Sequence, residues 1–542
     1  MKVAGVWSGH DCSYCILDSG RPVIHDEYER FLREKEPNGD SIQLLFENYD
    51  HYEEIKHVVT CLPQSKIIQH EKSLNKIRKI VDKNDGRFFI VGHHQAHAAN
   101  AFFSSNFDKS IIITLDGGGV EQEGKVTAAT IWEGEGNKIG PLHIFDFYDF
   151  NIGGVWTRAT RYIFNLQSGH PLGHQAGTVM ALAAFGDPER FHEDFFRMMT
   201  VDNQLAYHKP AGQKNGENIG EDPEHPYLNK YRILASESEQ NKFDIAAGLQ
   251  SATEKRFKDL LADVLNQIPD VKNICLAGGV ALNSVMTGKI KGWFPQIENI
   301  YIPPATHDGG LTIGAAQYVW HQALDNPRII WKDNFTPYLG RTYSLQDVNS
   351  ALENRSEEIA CTRGESDDEV ILSLLNQEII SVFGGGSESG KRALGNRSIL
   401  ADPRSPKMKD IINEKVKHRQ WFRPFAPSIL REEVLNWFEE DIDSPYMSFV
   451  LKFKESCKDK VPAVVHYDGS ARLQTVSEND NEWYHRFLKI WHKKSSVPIL
   501  LNTSFNDREP ICETPAHALD CFLRTNIDKL YFYDYGIIVS KK

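Results

Sequence analysis

His93-His94-Gln95-Ala96-His97 follows directly on the apolar run Phe88-Phe89-Ile90-Val91. A helix starting there places His93 and His97 one turn apart, with two imidazoles directed at one divalent metal. A zinc-protease helix of this spacing carries Glu after its first His, as base for metal-bound water, and His94 stands at that place. The pair therefore reads as a metal clamp without a hydrolytic base, and an acidic ligand must come from elsewhere. Two segments can supply one, each an Asp leading a glycine loop after an apolar strand: Asp116-Gly117-Gly118-Gly119 and Asp308-Gly309-Gly310. The competing reading makes His93 and His97 ordinary polar residues of a helix.

A second concentration of chemistry lies between residues 387 and 424. Lys and Arg occupy positions 391, 392, 397, 404, 407, 409, 415, 417, 419 and 423, against the acids Glu388, Asp402, Asp410 and Glu414. Ten cations over four acids leave a local excess of six in a chain of net charge −13. Lys407, Lys409 and Lys415 fit a solvated helix face. Arg392, Arg397, Lys417 and Arg423 stand beside Gly, Asn, Trp and Pro-Phe and are more constrained. Guanidinium forks bind phosphate bidentately, so this group suggests a phosphorylated substrate. Gly385 to Lys391 nearly spells a P-loop, but Arg392 stands where Ser or Thr should hold magnesium, and Ala393-Leu394-Gly395 interrupts the helix a P-loop needs. Farther on, Arg472 and Asn502 fall at expected strand–loop junctions, where turn chemistry also accounts for them.

Around these residues, 542 positions are too many for one core, so at least two domains are expected. The acidic balance argues against sequence-blind adhesion to nucleic acid or anionic membrane, though not against a local basic cleft. No apolar run approaches the ~18–20 residues of a membrane span, and no basic-then-apolar signal segment opens the chain. A cytoplasmic location without membrane partners is expected. Cys12 and Cys15 form one CxxC inside an apparent strand, where side chains three apart face opposite sides, and read as core packing. The opening is a β-hairpin, Val3–Trp7 and Cys12–Leu17, whose tip carries Ser8, Gly9, His10 and Asp11; a His there suggests a nearby ligand, a solvated turn being the alternative. Helices are expected over 177–185 and 244–265, and a strand over Asn273–Ala277. Gly278-Gly279 after that strand can bring backbone amides to an anion at the start of a helix near Ala281. Residues 187–243 read as an irregular insertion or lid, and no internal repeat is visible.

Taken together, these segments resemble the O-carbamoyltransferases that tailor antibiotics and nodulation factors, over nearly the whole chain. The most specific stretches are Arg392-Ala393-Leu394-Gly395-Asn396-Arg397-Ser398-Ile399-Leu400-Ala401-Asp402-Pro403-Arg404 and Arg423-Pro424-Phe425-Ala426-Pro427-Ser428. The resemblance implies an α/β chain with an N-terminal actin-like ATPase (ASKHA) domain over 1–340, a linker over 341–365 and a YrdC-like domain over 366–542. It implies that carbamoyl phosphate and ATP, with Mg2+, give a carbamoyl-adenylate in the second domain, which passes internally to the first. There a metal, Fe2+ or another divalent ion, held by His93, His97, Asp116 and Asp308, assists transfer to an acceptor hydroxyl. His10 would be the base. Arg392, Lys417, Arg423, Arg397, Arg472 and Asn502 would contact carbamoyl phosphate and nucleotide, and Gly117, Gly118, Gly278, Gly279 and Asn283 would border the adenylate. The family usually has Arg where Gly386 stands, Pro where Lys391 stands and Lys where Thr178 stands; Lys391 would keep a positive charge without the fork.

Two other readings compete: an actin-like sugar kinase or ATPase, and a regulatory protein that binds metal and nucleotide without turnover. For the acceptor, the acidic charge favours a small molecule such as an antibiotic or sugar, with hydroxymethylated pyrimidines of DNA as the other option. A homodimer is compatible with the sequence.

Overall fold

A computed structural model describes residues 1–121, 124–166, 175–200 and 227–542, which form two compact units, Met1–Phe335 and Thr336–Lys542. The fold is mixed α/β in both.

In the first unit, β1 (Lys2–Trp7), β2 (Ser13–Asp18) and β3 (Arg21–Glu27) make an antiparallel meander. The expected β1–β2 hairpin is present, and the next turn, between β2 and β3, uses Ser19 and Gly20 at φ 50° and 84°, the left-handed pair that matches strand twist. On the other side of β1, β4 (Ile55–Cys61) and β5 (Arg87–Val91) join in parallel, giving the order β3-β2-β1-β4-β5. The same order recurs with β6 (Lys109–Val120), β7 (Val126–Glu135), β8 (Lys138–Ile144), β9 (Asn273–Ala277) and β10 (Asn299–Tyr301), as β8-β7-β6-β9-β10. The chain thus does contain an internal duplication, which corrects the sequence reading. It is a repeat of topology, which needs only matching apolar alternation and crossovers, and it leaves no matching residues to recognise.

Each sheet is covered by the helix that follows the other. The helix His93–Phe103 comes after β5 but packs on β6 and β9, while Leu311–Tyr318 comes after β10 but packs on β1, β2 and β4. The two helices also pack on each other, through small residues. A Cβ on Gly314 would sit 1.9 Å from Ala96 O, and one on Gly5 would sit 2.0 Å from Thr312 O, so only glycine permits these approaches. Every residue of His93–Phe103 except Gln95 is buried, as expected of a helix enclosed on all sides.

The predicted helices are longer or shifted by a residue or two, Ala176–Ala183 and Glu239–Gln267, and β9 has the predicted bounds. After Gly278 the chain makes a 3-10 turn, Gly279–Leu282, before the short helix Ser284–Gly288. Within the stretch expected as a lid, His192–Met198 and Asn229–Glu237 are helical; 201–226 lies outside the described residues. Cys12 and Cys15 are buried and unbridged, as expected. Among the described residues no helix is long and apolar enough to cross a membrane.

The second unit is built on one mixed sheet of nine strands: β11 (Ile359–Arg363), β12 (Ile380–Phe383), β13 (Arg397–Ala401), β14 (Ala426–Leu430), β15 (Phe449–Lys452), β16 (Ser470–Val476), β17 (Ile499–Ser504), β18 (Lys529–Phe532) and β19 (Ile537–Lys541). Their order is β11-β19-β18-β12-β13-β17-β14-β16-β15. Apolar faces of the helices Asp367–Leu375 and Glu482–Ser495 pack on it through Leu374, Phe487 and Trp491, each fully buried. Such burial is worth about 1.5–3 kcal/mol per large side chain, and the Trp491 indole N–H is satisfied by Ile499 O at 2.8 Å. Residues 341–365, expected as a linker, instead carry the helix Leu345–Glu353 and edge strand β11, which pairs with the C-terminal β19. That pairing is long-range, so nothing local in the charged sequence announces it.

Candidate metal centre and cationic cluster

The structure brings His93, His97, Asp116 and Asp308 together. One ligand atom from each lies within 4.8 Å of all the others. His97 Nε2 is 3.0 Å from Asp116 Oδ2 and 3.3 Å from Asp308 Oδ1; His93 Nε2 is 3.7 Å and 3.5 Å from the same two oxygens. Local structure explains each position. The histidines occupy the first two turns of their helix. Asp116 sits where β6 loses register with β7 between Leu115 and Gly119, so the chain bulges outward with its carboxylate turned inward. Asp308 opens the 3-10 turn Asp308–Gly310 that leads into Leu311–Tyr318.

This donor set fits a divalent metal. Two imidazoles and two carboxylates converge in a buried place, and His93 Nε2 has no hydrogen-bond partner there. An orphaned buried nitrogen facing two carboxylates is costly unless a cation completes the site. In the absence of a cation, the nearby imidazoles outweigh burial and hold Asp116 well below the usual carboxylate range, while Asp116 and Asp308 outweigh burial and raise His97 to about 9. His94, in the place of a protease base, takes no part. Its nitrogens lie 2.9 Å from Thr114 Oγ1 and 3.1 Å from Thr127 O, and burial lowers it to about 3.

His10 reaches the cage from the β1–β2 tip. Its Nε2 is 3.3 Å from Asp308 Oδ2, its Nδ1 is 3.1 Å from Asp11 Oδ2, and 37% of its side chain is exposed. Burial alone would lower its pKa, but Asp308 and Asp11 outweigh it and raise the group to about 10. The predicted glycines border the cage. Gly117 N and Gly279 N donate to Asp116 at 2.5 and 3.3 Å, and Gly278, at φ 91°, passes so close to Leu115 that a Cβ would meet its carbonyl oxygen at 2.1 Å. Gly118 packs beside Phe147. Asn283 is different: its amide caps Ser284–Gly288 and pairs with Gln250, so both of its ends have structural partners.

In the second unit, Arg392, Arg419, Arg423 and Arg472 lie near enough to act on one another's charges, whereas Arg397 and Lys417 of the expected group do not join them. Burial, and then the charges of Arg392, Arg419 and Arg423, push the Arg472 guanidinium well below its ordinary range; burial and Arg423 lower Arg392 to about 10. Among the described residues, no carboxylate makes an ion pair with any of the four. Clustered, partly buried cations without acids repel one another, a cost that a polyanion bound among them would offset. Lys409 and His466 lie at its edge. Lys409, expected on a solvated face, is partly buried, its pKa lowered by burial with Arg419 nearby; His466 is lowered to about 4 by burial, Arg472 and Lys409 adding to the effect.

Arg472 and Asn502 lie within β16 and β17, not at strand ends as expected. Strand pairing sets Asn502 opposite Ala426 and Leu400, and its amide donates to Gln474 Oε1 at 2.8 Å and Ser428 Oγ at 3.1 Å, leaving Oδ1 buried and unpartnered. Two predicted ligands have structural partners instead. Arg397 is fully buried, its guanidinium 3.7 Å from the Phe383 ring centroid and donating to the carbonyls of Gly384, Asn396, Arg341 and Gly385. Lys417 Nζ is held by Ser504 and Asn506.

The near-P-loop has its own anion. Glu388 Oε1 accepts from the backbone N–H groups of Leu394, Asn396 and Arg397 at 2.7, 2.9 and 3.2 Å, where a P-loop would hold phosphate. Nothing in residue spacing marked Glu388 for this, since the amides converge only after the loop folds. Arg419 was part of the visible charge excess, but its place inward follows from its bond to Asn413 Oδ1 at 2.7 Å.

The chain matches the model of the carbamoyltransferase N-terminus over residues 64–317 and that of the carbamoyltransferase C-terminus over 372–539. It is 33% identical over 456 residues to nodulation protein NolO of Bradyrhizobium diazoefficiens, covering 81% of this chain and 77% of that one. It is 35% identical to nodulation protein NolNO of Sinorhizobium fredii, over 83% of this chain and 64% of the relative, and 27% identical to the 3'-hydroxymethylcephem-O-carbamoyltransferase of Amycolatopsis lactamdurans, over 75% and 74%. The chain belongs to the carbamoyltransferase family. It is a carbamoyl-transferring enzyme, which sets aside the kinase and regulatory alternatives.

Proposed function

We propose that this enzyme is an ATP-dependent O-carbamoyltransferase whose two units carry separate half-reactions. The second unit, YrdC-like in this reading, binds ATP and carbamoyl phosphate at the Arg392–Arg419–Arg423–Arg472 cluster. There water releases phosphate from carbamoyl phosphate, and an oxygen of the resulting carbamate attacks the α-phosphate of ATP, forming the carbamoyl–AMP bond as the bond to pyrophosphate breaks. The arginines neutralise the phosphates and hold carbamoyl carbon and nucleotide in reach of one another. Asn502, with its unpartnered Oδ1, offers an acceptor suited to a carbamoyl N–H.

The first unit, whose paired five-stranded sheets support the actin-like reading, consumes the adenylate. His93, His97, Asp116 and Asp308 would hold a divalent cation, which would offset the two carboxylate charges and supply Lewis-acid stabilisation of a phosphate beside it. Asp308 is the main group holding His10 protonated; with that charge taken up by a cation, His10 would be free to take the proton of the acceptor hydroxyl at Nε2 while Asp11 holds Nδ1. The hydroxyl oxygen bonds to the carbamoyl carbon, the bond to the AMP oxygen breaks, and AMP leaves. Gly117 and Gly279 keep that edge of the cage free of side chains. The acceptor favoured by the acidic chain is a small hydroxyl compound, with hydroxymethylated DNA as the alternative.

The observation that carries this reading is the convergence of four ligand atoms within 4.8 Å around an unpartnered His93 Nε2. The test separates the half-reactions. Arg423→Ala should abolish pyrophosphate release from ATP and carbamoyl phosphate. Asp308→Ala should leave it intact and abolish AMP release on adding an acceptor. Equal loss of both steps in Asp308→Ala would contradict the division.

A further inference from the structure

Behind His10 and its partner Asp11 the first unit holds three buried ionisable groups, His307, Glu27 and Arg30, that the transfer step does not use. Asp11 Oδ2 bonds to His10 Nδ1, and Asp11 Oδ1 lies 3.6 Å from His307 Nε2. That nitrogen lies 3.3 Å from Glu27 Oε1, whose other oxygen pairs with Arg30 at 3.1 Å. Glu27, Arg30 and His307 are almost wholly buried. Burying such ionisable side chains in line costs several kcal/mol unless each has a partner, so their retention calls for a task beyond stability.

The surroundings fit those groups closely. Asp11 has φ 57°, in the left-handed region that Asp visits more readily than most non-glycine residues. A Cβ on Gly309 would sit 2.7 Å from Glu27 Oε1 and 2.8 Å from His307 Nε2, so glycine is required for the pair to reach the Asp308 loop. Glu27 ends β3, paired with Ser13 of β2, and His307 precedes Asp308. The pair thus ties the strand after the hairpin tip to the loop of the opposite half.

We propose that Glu27 and His307 are positioning residues: together they fix the Asp11 carboxylate, and through it the ring orientation that points His10 Nε2 at the acceptor. The inference rests on the proposed role of His10 as base. An imidazole held at Nδ1 by a carboxylate, with a second imidazole–carboxylate pair at ion-pair distance behind that carboxylate, has its ring orientation restricted. Outer partners of this kind are worth about 10–100-fold in activity.

The test uses full-length Glu27→Gln, His307→Ala and His307→Gln, with four readouts. Expected are a 10–100-fold lower kcat for carbamoyl transfer, an unchanged KM for the acceptor, unchanged pyrophosphate release and unchanged metal content. His307→Gln, whose amide N–H can still reach Asp11, should recover much of the rate lost in His307→Ala; a role in folding alone would not give that recovery at constant KM. Crystal structures of the variants should show Asp11 and the His10 ring displaced. Wild-type kcat in Glu27→Gln and His307→Ala, loss of the metal, or an unmoved His10 ring would each overturn the proposal. A wild-type enzyme that makes adenylate but never transfers it would refute the His10 reading instead, and the crystal structures would still decide whether the pair positions Asp11.

Discussion

His97 Nε2 lies 3.0 Å from Asp116 Oδ2, joining a helix that follows the first sheet to a bulge in the leading strand of the second. The contact exists because the two halves of the first unit exchange their covering helices. Asp308 comes to the same nitrogen from the start of the reciprocal helix. The cage is therefore a product of the duplication: each half supplies parts of a site that neither holds alone.

The helix crossing should then control the metal. In Gly314→Ala the new methyl would meet Ala96 O, a backbone atom that cannot rotate aside. Forcing the helices apart is expected to cost about 1–3 kcal/mol and to pull His97 from Asp308. Denaturant titration and elemental analysis check this. A variant with wild-type midpoint and full metal content would contradict it.

In the second unit the sign is reversed. Arg472 faces three other guanidinium groups, and its Nε has no partner. Arg472→Met removes a repelled, partly buried charge and is expected to make the ligand-free protein more stable. The same change should reduce the thermal stabilisation given by ATP and carbamoyl phosphate. Paired melting curves with and without ligands read both effects.

Acid should weaken the first unit through His321. Burial, and then the Arg328 charge, lower this residue to about 4, against about 6.5 in an unfolded chain. Between those values the unfolded form binds the proton more readily. The contribution is fully present above about pH 6.5 and is lost as pH falls through 4. His321→Phe keeps a ring against Phe103, whose centroid is 4.7 Å away, and should flatten the urea midpoint over that window. An unchanged slope would assign the acid sensitivity elsewhere.

At Gly386 the resemblance leads to an expectation of Arg, and the loop should not accept one. A Cβ there would lie 2.8 Å from Tyr338 O and 2.9 Å from Gly340 O, both backbone. Gly386→Arg is expected to lose about 1–3 kcal/mol of stability and to gain no affinity for carbamoyl phosphate. Calorimetric titration with carbamoyl phosphate, beside a melting curve, tests both.

What was legible in the chain was local. His93 and His97 announce themselves by helical spacing, and Asp116 and Asp308 by the glycines that follow them. The hairpin tip marks His10 because a histidine in a polar turn is out of place. The duplication, the 341–365 segment and the Glu27–His307 pair were hidden, because each depends on residues far apart in sequence. Arg397 and Lys417 show the limit of charge counting. A cation beside Gly and Asn can be held by carbonyl oxygens as well as by a phosphate, and only the folded loop tells which.

The central claim is that activation and transfer are separate steps served by separate residues. The most direct measurement mixes the protein with ATP and carbamoyl phosphate, follows pyrophosphate, and then adds a hydroxyl acceptor while following AMP and the acceptor's mass. Wild-type enzyme should give pyrophosphate and then, on acceptor addition, AMP with a carbamoyl mass increment, whereas Asp308→Ala should stop after pyrophosphate. A phosphorylated acceptor with ADP, or Asp308→Ala failing at the first step, would contradict the account.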